Sequence, residues 1–326
     1  MKREGTYIMA HEIENVNGKD QMAYVGATPW HGLGTKVPAD LTPEQMLQAA
    51  GLDWTVEKIP AYAEIAGKQV SVGRSALVRQ ADNKLLDVVS DDWNPVQNAE
   101  AFEFFNEFVM AGDMEMHTAG SLKQGQIVWG LAKIKESFEL FKGDQIDSYL
   151  LFSNFHKYGC STDVRFTPIR VVCNNTLTLS LNSKVERMAK ISHRKVFDPS
   201  NVKDMLGIAT DKLTKYKEMA SFLGSKQAKN EDIVEYFCRI FPVSGSNKKG
   251  KEISKVADMA LSVLHTQPGS EYAEGTWWQP FNAVTYVTDH LAGRSADTRL
   301  TSAWYGYNKG VKTKALELAI EMAEAA

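Results

Sequence analysis

The spacing of the apolar residues changes once along this chain, near Ser200, and that change limits the fold more than any other feature. Before it, apolar residues often alternate with polar ones, as in "WTVEKIPAYAEI" (54–65) and "SALVRQADNKLLDVVSD" (75–91). After it, they recur at three- and four-residue steps, as in "TWWQPFNAVTYVTDHL" (276–291). A period of two belongs to a strand with one buried face, and a period near 3.6 to a helix. Strands followed by helices, without strict βα alternation, indicate an α+β fold. The expected form is a small antiparallel sheet packed on helices, with a helical C-terminal part.

Local signals place the elements. Thr42-Pro43-Glu44 reads as an N-cap followed by proline at the first helical position, with Gly51 as the stop. Gly67, Gly73 and Asp82-Asn83 break the alternating stretch into antiparallel strands. "NAEAFEFFNEFVMAGD" (98–113) reads as one amphipathic helix with Phe102, Phe105, Phe108 and Val109 toward the core. A hairpin is expected to turn at Lys123-Gln124-Gly125, and a strand pair over "SYLLFSNFH" and "TDVRFTPIRVV". Later helices are expected near 201–223, 230–241, 250–266, 277–292 and 307–325, with 242–252 as the best linker candidate. In "TWWQPFNAVTYVTDHL", Trp277, Phe281, Val284 and Val287 or Thr288 share the core face, and Trp278 falls off it. The domain reading is an N-terminal arm (1–35), an α+β core with a basic surface (36–228) and a helical region (229–326).

Composition limits the function classes. At 44% hydrophobic and 24% charged residues the chain is an ordinary globular sequence. No apolar run has the length of a membrane span, and the start lacks a secretory apolar core, so no membrane partner is expected. Three cysteines without CxxC spacing suit a reducing cytoplasm. GxxxxGK[ST], GxGxxG, HExxH, GxSxG and EF-hand patterns are absent, which removes the common nucleotide, hydrolase and calcium signatures. His156, Cys160, Cys173 and His193 form the one metal-like set, but only His156 and Cys160 have zinc-like spacing. Cys173 reads as a small packed residue rather than a nucleophile. No cofactor is expected.

The formal net charge of −3 conceals a basic middle. Residues 151–230 carry 14 Lys+Arg against 6 Asp+Glu, whereas residues 1–150 carry 13 against 22. The basic residues of 155–195 are Lys157, Arg165, Arg170, Lys184, Arg187, Lys190, Arg194 and Lys195, with Phe155 and Tyr158 interleaved. Cations meet phosphates and aromatic faces stack bases, so this mixture points to a nucleic-acid surface. A charge-compensating contact with the acidic first half is the simpler reading of the same residues.

Six stretches then carry a resemblance. "PWHGLG" (29–34), "RVVCNNTL" (170–177), "ISHR" (191–194), "GTWWQPFNAVTYVTDH" (275–290), "RLTSAWYG" (299–306) and "KTKALELA" (312–319) resemble the phage/plasmid-like protein family, a domain of unknown function common on mobile elements. Its organisation is similar to that of phage single-strand annealing proteins of the RecT, Red-beta and Erf type. That resemblance implies a basic DNA groove, rings or filaments of subunits and no ATP requirement, and it carries over no catalytic residues. The resulting expectation is an ATP-independent single-stranded DNA-binding and annealing protein of phage or plasmid recombination. It would be cytoplasmic and homo-oligomeric, and would meet a host or phage replication or recombination protein. The alternatives are a metal-dependent nucleic-acid enzyme, or a host-interaction or anti-defence protein of a mobile element.

Overall fold

A computed structural model describes residues 12–29, 32–170, 175–176, 187–194, 205–243, 253–293 and 298–325. The fold is α+β, with a helical C-terminal part. It divides into two compact units, Met1–Lys135 with Leu150–Arg165 and Arg187–Met205, and Glu136–Tyr149 with Phe166–Glu186 and Leu206–Ala326.

The first unit opens with a two-residue hairpin, β1 (Asn15–Val16) and β2 (Lys19–Asp20), followed by β3 (Met22–Val25) and β4 (Thr35–Val37). The expected arm (1–35) therefore supplies the β1–β2 hairpin, β3 and the first residue of β4. β3 pairs in parallel with β4 and antiparallel with β8 (Met114–Leu122). Between them come α1 (Pro43–Ala49), the strands β5 (Val56–Ile65), β6 (Lys68–Arg79) and β7 (Lys84–Ser90), and the short helices α2 (Asn98–Glu103) and α3 (Asn106–Ala111). β5, β6 and β7 form a separate antiparallel sheet in that order. Gly73 (φ +63°) lies within β6, at a register irregularity facing Pro60 and Tyr62, and does not end the strand. The remaining strands are β9 (Ile127–Glu139), β10 (Gln145–Phe155), β11 (Thr162–Arg170), β12 (Asn175–Thr176) and β13 (Arg187–Ile191). Within the first unit the main sheet runs β13-β11-β10-β9-β8-β3-β4.

Residues 98–113 form two helices rather than one. The break lets Phe104, as well as Phe102, Phe105 and Phe108, turn inward, while Val109 stays half-buried. The rings of Phe104 and Phe105 meet Phe152 of β10 at 5.2 and 6.1 Å. A Cβ at Gly130 of β9 would stand 3.0 Å from the Phe105 ring, so this strand passes under the aromatic cluster only without a side chain. The β8–β9 turn carries positive φ at Lys123, Gln124 and Gly125, as the sequence predicts.

The second unit holds the far ends of β9, β10 and β11, with β12 on the last of these. Its helices are α4 (Met205–Ser225), α5 (Asn230–Ile240), α6 (Lys255–Val263), α7 (Trp278–Tyr286), α8 (Arg299–Tyr305) and α9 (Tyr307–Ala325). The sequence did not separate α8. α7 continues into a π-helical turn, Val287–Leu291. α5 buries Ile233, Tyr236, Phe237 and Ile240, an i, i+3, i+4, i+7 stripe. Trp277, Phe281, Val284, Val287 and Thr288 are buried as the spacing predicts. Trp278 is buried too, at 1% exposure, because α7 is enclosed on every side and this ring meets Phe141, Tyr216 and Phe281. Of the linker candidate, 244–252 lie outside the described residues, as does Cys173. No helix among the described residues is long and apolar enough to cross a membrane.

Candidate functional site

The residues proposed to meet nucleic acid fall into three groups. Lys157, Tyr158 and Arg194 are surface positions. Lys157 and Tyr158 sit on the β10–β11 turn, where the Tyr158 amide donates to Asp87 Oδ2 at 2.8 Å and the Arg74 guanidinium lies 5.3 Å from the Tyr158 ring. Arg194 is 72% exposed, with its Nε 3.3 Å from Asp92 Oδ2. Phe155 and Arg165 are buried instead, each at 9% exposure. Arg165 turns onto Asp163 two residues earlier on its own strand, with Nη2 donating to Oδ2 at 3.1 Å.

The third group is fixed in strand register. β13 lies antiparallel to β11, with Lys190 opposite Asp163 and Arg187 opposite Arg165, and the register shifts between Val164 and Arg165. The shift leaves Met188 unmatched and keeps both basic positions in step with the Asp163–Arg165 pair. Arg170 pairs with Asn175 of β12. Lys184 and Lys195 lie outside the described residues.

Beneath this stretch, the first unit contains a polar cluster that sequence reasoning missed. His156 is fully buried at the end of β10, and its Nε2 stands 2.9 Å from Asn98 Oδ1. Asn98 Nδ2 donates to Leu52 O at 2.9 Å, so Asn98 offers its oxygen to the imidazole and His156 carries its proton on Nε2. Asn154 Nδ2 donates to Val96 O at 2.8 Å, and Thr162 Oγ1 donates to Asn154 Oδ1 at 3.2 Å. The Trp54 ring lies 5.3 Å from His156, and the Arg79 guanidinium 5.1 Å from Trp54. Burial, with the charges of His193 and Arg79 adding to it, pushes the His156 imidazole down to about 3. His193 stacks on Trp93 at 4.0 Å, its Nδ1 3.0 Å from Asn94 O, and burial lowers its pKa as well. The one local signal was "DDWNPVQN" (91–98), where Trp, Asn and Pro follow the two acids without further charge.

This cluster is built for neutral hydrogen bonding. Of the metal-like set, His156 and His193 have these partners and Cys160 is half-buried. No cluster of three or more metal-ligating side chains occurs among the described residues. Arg79 forms a second buried assembly, donating to Glu14 at 2.9 Å and to Asp82 at 2.6 Å. A pocket of about 370 Å³ opens beside Trp54, Leu47 and Phe102 and carries Glu44, Asp53 and Glu103. None of its lining residues is basic, so it repels a polyanion.

Residues 85–304 match the family described as "Domain of unknown function (DUF932)". The chain belongs to the DUF932 family. No curated protein and no solved structure matches it. The DUF932 match spans His156, His193, the basic stretch and the buried Trp277–Trp278 pair, and it begins within β7, after Glu14, Arg79 and the β5–β6 hairpin.

Proposed function

We propose that this DUF932 protein binds single-stranded DNA and, as a homo-oligomer, brings complementary strands together without nucleotide hydrolysis, in phage or plasmid recombination. The observation that carries the reading is the concentration of cations in one stretch, 14 Lys+Arg against 6 Asp+Glu over 151–230 of a chain that is acidic overall. The exposed positions Lys157, Tyr158 and Arg194 and the basic strand β13 support it, whereas Phe155 and Arg165 are spent inside the protein. The Tyr158 ring offers a stacking surface, and the cations offer phosphate contacts whose strength falls with salt. Annealing of this kind needs positioning rather than bond chemistry.

The test is electrophoretic mobility of labelled single-stranded DNA at two salt concentrations, with Arg187→Glu/Lys190→Glu beside the parent. The parent should shift the oligonucleotide at about 50 mM salt and lose most of that binding at about 200 mM. The variant should fail at both while keeping its circular dichroism. A parent that leaves DNA unshifted at low salt removes the reading, as does a variant that binds like the parent.

A further inference from the structure

The three-stranded sheet has an unusually bare side. Every residue from Glu64 to Arg74 is exposed, eleven in succession, and at the inner end of this stretch the Arg74 guanidinium lies near the Tyr158 ring. Register assigns its faces. Glu57 lies opposite Val78, Ile59 opposite Ala76, Ala63 opposite Val70 and Ile65 opposite Lys68, while β7 sets Leu85 opposite Val78 and Val88 opposite Ala76. Paired residues point to the same side of a sheet and alternate along each strand, so all of these share one face. That face exposes Ile59 at 40%, Ile65 at 59%, Val70 at 44%, Leu85 at 56% and Val88 at 43%. The opposite face carries Ser75, Leu77 and Val89, which are buried. An apolar sheet face of this extent marks an interaction surface, and a free two-stranded ribbon is marginal alone.

We infer that this face docks a second copy of the same chain, face to face about a two-fold axis. Charge complementarity selects that partner. Along the face, Glu57 marks one end and Lys68 the other, both exposed, and the residues between them are mainly apolar. A two-fold axis passing near Ala61 reverses the strand direction of the second copy. It lays Glu57 of each copy against Lys68 of the other, with Ile59, Ile65 and Val70 meeting between them. The eight-residue separation of Glu57 and Ile65 is about 26 Å, and three strands are about 14 Å across, so the footprint is of the order of 400 Å² per copy. A standard stable interface covers about 800 Å² per partner, so the dimer exchanges with monomer and depends on concentration. This deepens the oligomeric part of the proposed function and rests on self-association alone, not on DNA.

Sedimentation velocity of the full chain at several loading concentrations tests it. The parent should pass from monomer toward dimer as loading rises from roughly 5 to 200 µM, the range of a small interface. Ile65→Glu/Val70→Glu should remain monomeric throughout with an unchanged circular dichroism spectrum. Glu57→Lys and Lys68→Glu should each weaken association about threefold or more, and the combined exchange should restore it, an outcome specific to the two-fold pairing. A parent monomeric at every loading overturns the inference, and so does a combined exchange no better than its single members. The charge exchange stands even if the glutamate pair fails to fold, because Glu57 and Lys68 are both exposed, Glu57 accepting from Gln80 Nε2 at 3.1 Å. Mobility of a short oligonucleotide, scored on the same samples, separates the two readings. A parent that dimerises without shifting DNA supports the interface and removes the DNA reading, whereas a DNA-binding parent that never dimerises overturns the interface alone.

Discussion

The interior around His156 and the interior around Asp289 solve the same problem by opposite means. Each buries polar side chains in the interior of its own unit. Around His156 the partners are amides, a hydroxyl and backbone carbonyls, and the imidazole is held neutral. Around Asp289, on the π-helical turn after α7, the partner is a full ion pair with Lys312 Nζ at 2.7 Å, and Lys312 is completely buried. Asn308 reinforces that turn by donating to Thr288 O at 2.7 Å. A neutral network is vulnerable to an added proton, because the proton brings a charge without a counterion. An ion pair is vulnerable to loss of a partner, because the other charge stays behind.

The largest effect should come from breaking the ion pair. Lys312→Ala leaves the Asp289 carboxylate buried without this cation and should cost about 3–5 kcal/mol in guanidinium denaturation. Lys312→Met combined with Asp289→Leu should recover most of that loss, since apolar side chains of similar volume often replace buried pairs at little cost. A loss under about 1 kcal/mol for Lys312→Ala would show that the pair does not hold α9 to the π-helical turn.

The His156 network should show a proton dependence of known sign. The free imidazole has its ordinary value near 6.5, and the folded one sits near 3. Between those values the unfolded chain holds a proton that the folded chain does not, so unfolding takes up a proton and stability falls as the solution is acidified. Stability should be flat above about pH 6.5 and decline below it by up to about 1.4 kcal/mol per pH unit from this group. His156→Gln should make that limb shallower whatever its stability at neutral pH, leaving the part that the buried His193 supplies. Denaturant midpoints measured from pH 7 to pH 4 would decide, and a parent and variant with parallel profiles would refute the neutral-histidine account.

The two interiors also differ in how far the sequence announces them. The helical one is legible, because a single helix carries its own period. Trp277, Phe281, Val284 and Val287 stand out from spacing alone, and only Trp278 is misread, since one stripe cannot report that a helix is enclosed on both sides. The same limit hid the break between α2 and α3, where consecutive phenylalanines satisfy either helix phase. The His156 network draws on residues near 52, 94–98, 154–162 and 193, so no local spacing contains it. The parallel pairing of β3 with β4 is likewise set by tertiary placement. The basic stretch is visible as composition, but composition does not say that Arg165 is taken by Asp163.

The smallest effect marks the exposed limit of the comparison, where a polar group loses a partner and water replaces it. Thr42 caps α1 through Oγ1, which accepts from the Gln45 amide at 3.2 Å, while Gln45 Oε1 accepts from the Thr42 amide at 2.9 Å. α1 has seven residues, too few to persist without its cap and its buried Met46 and Leu47. Thr42→Ala should therefore cost about 1 kcal/mol in urea denaturation, and Thr42→Ser should recover it because the hydroxyl oxygen is retained. The loss should be the same at pH 7 and pH 5, since no proton is exchanged at this cap. If Thr42→Ala instead cost as much as Lys312→Ala, burial would not be what separates the strong polar contacts of this protein from the weak ones. An unchanged midpoint would mean that Met46 and Leu47 hold α1 by packing alone.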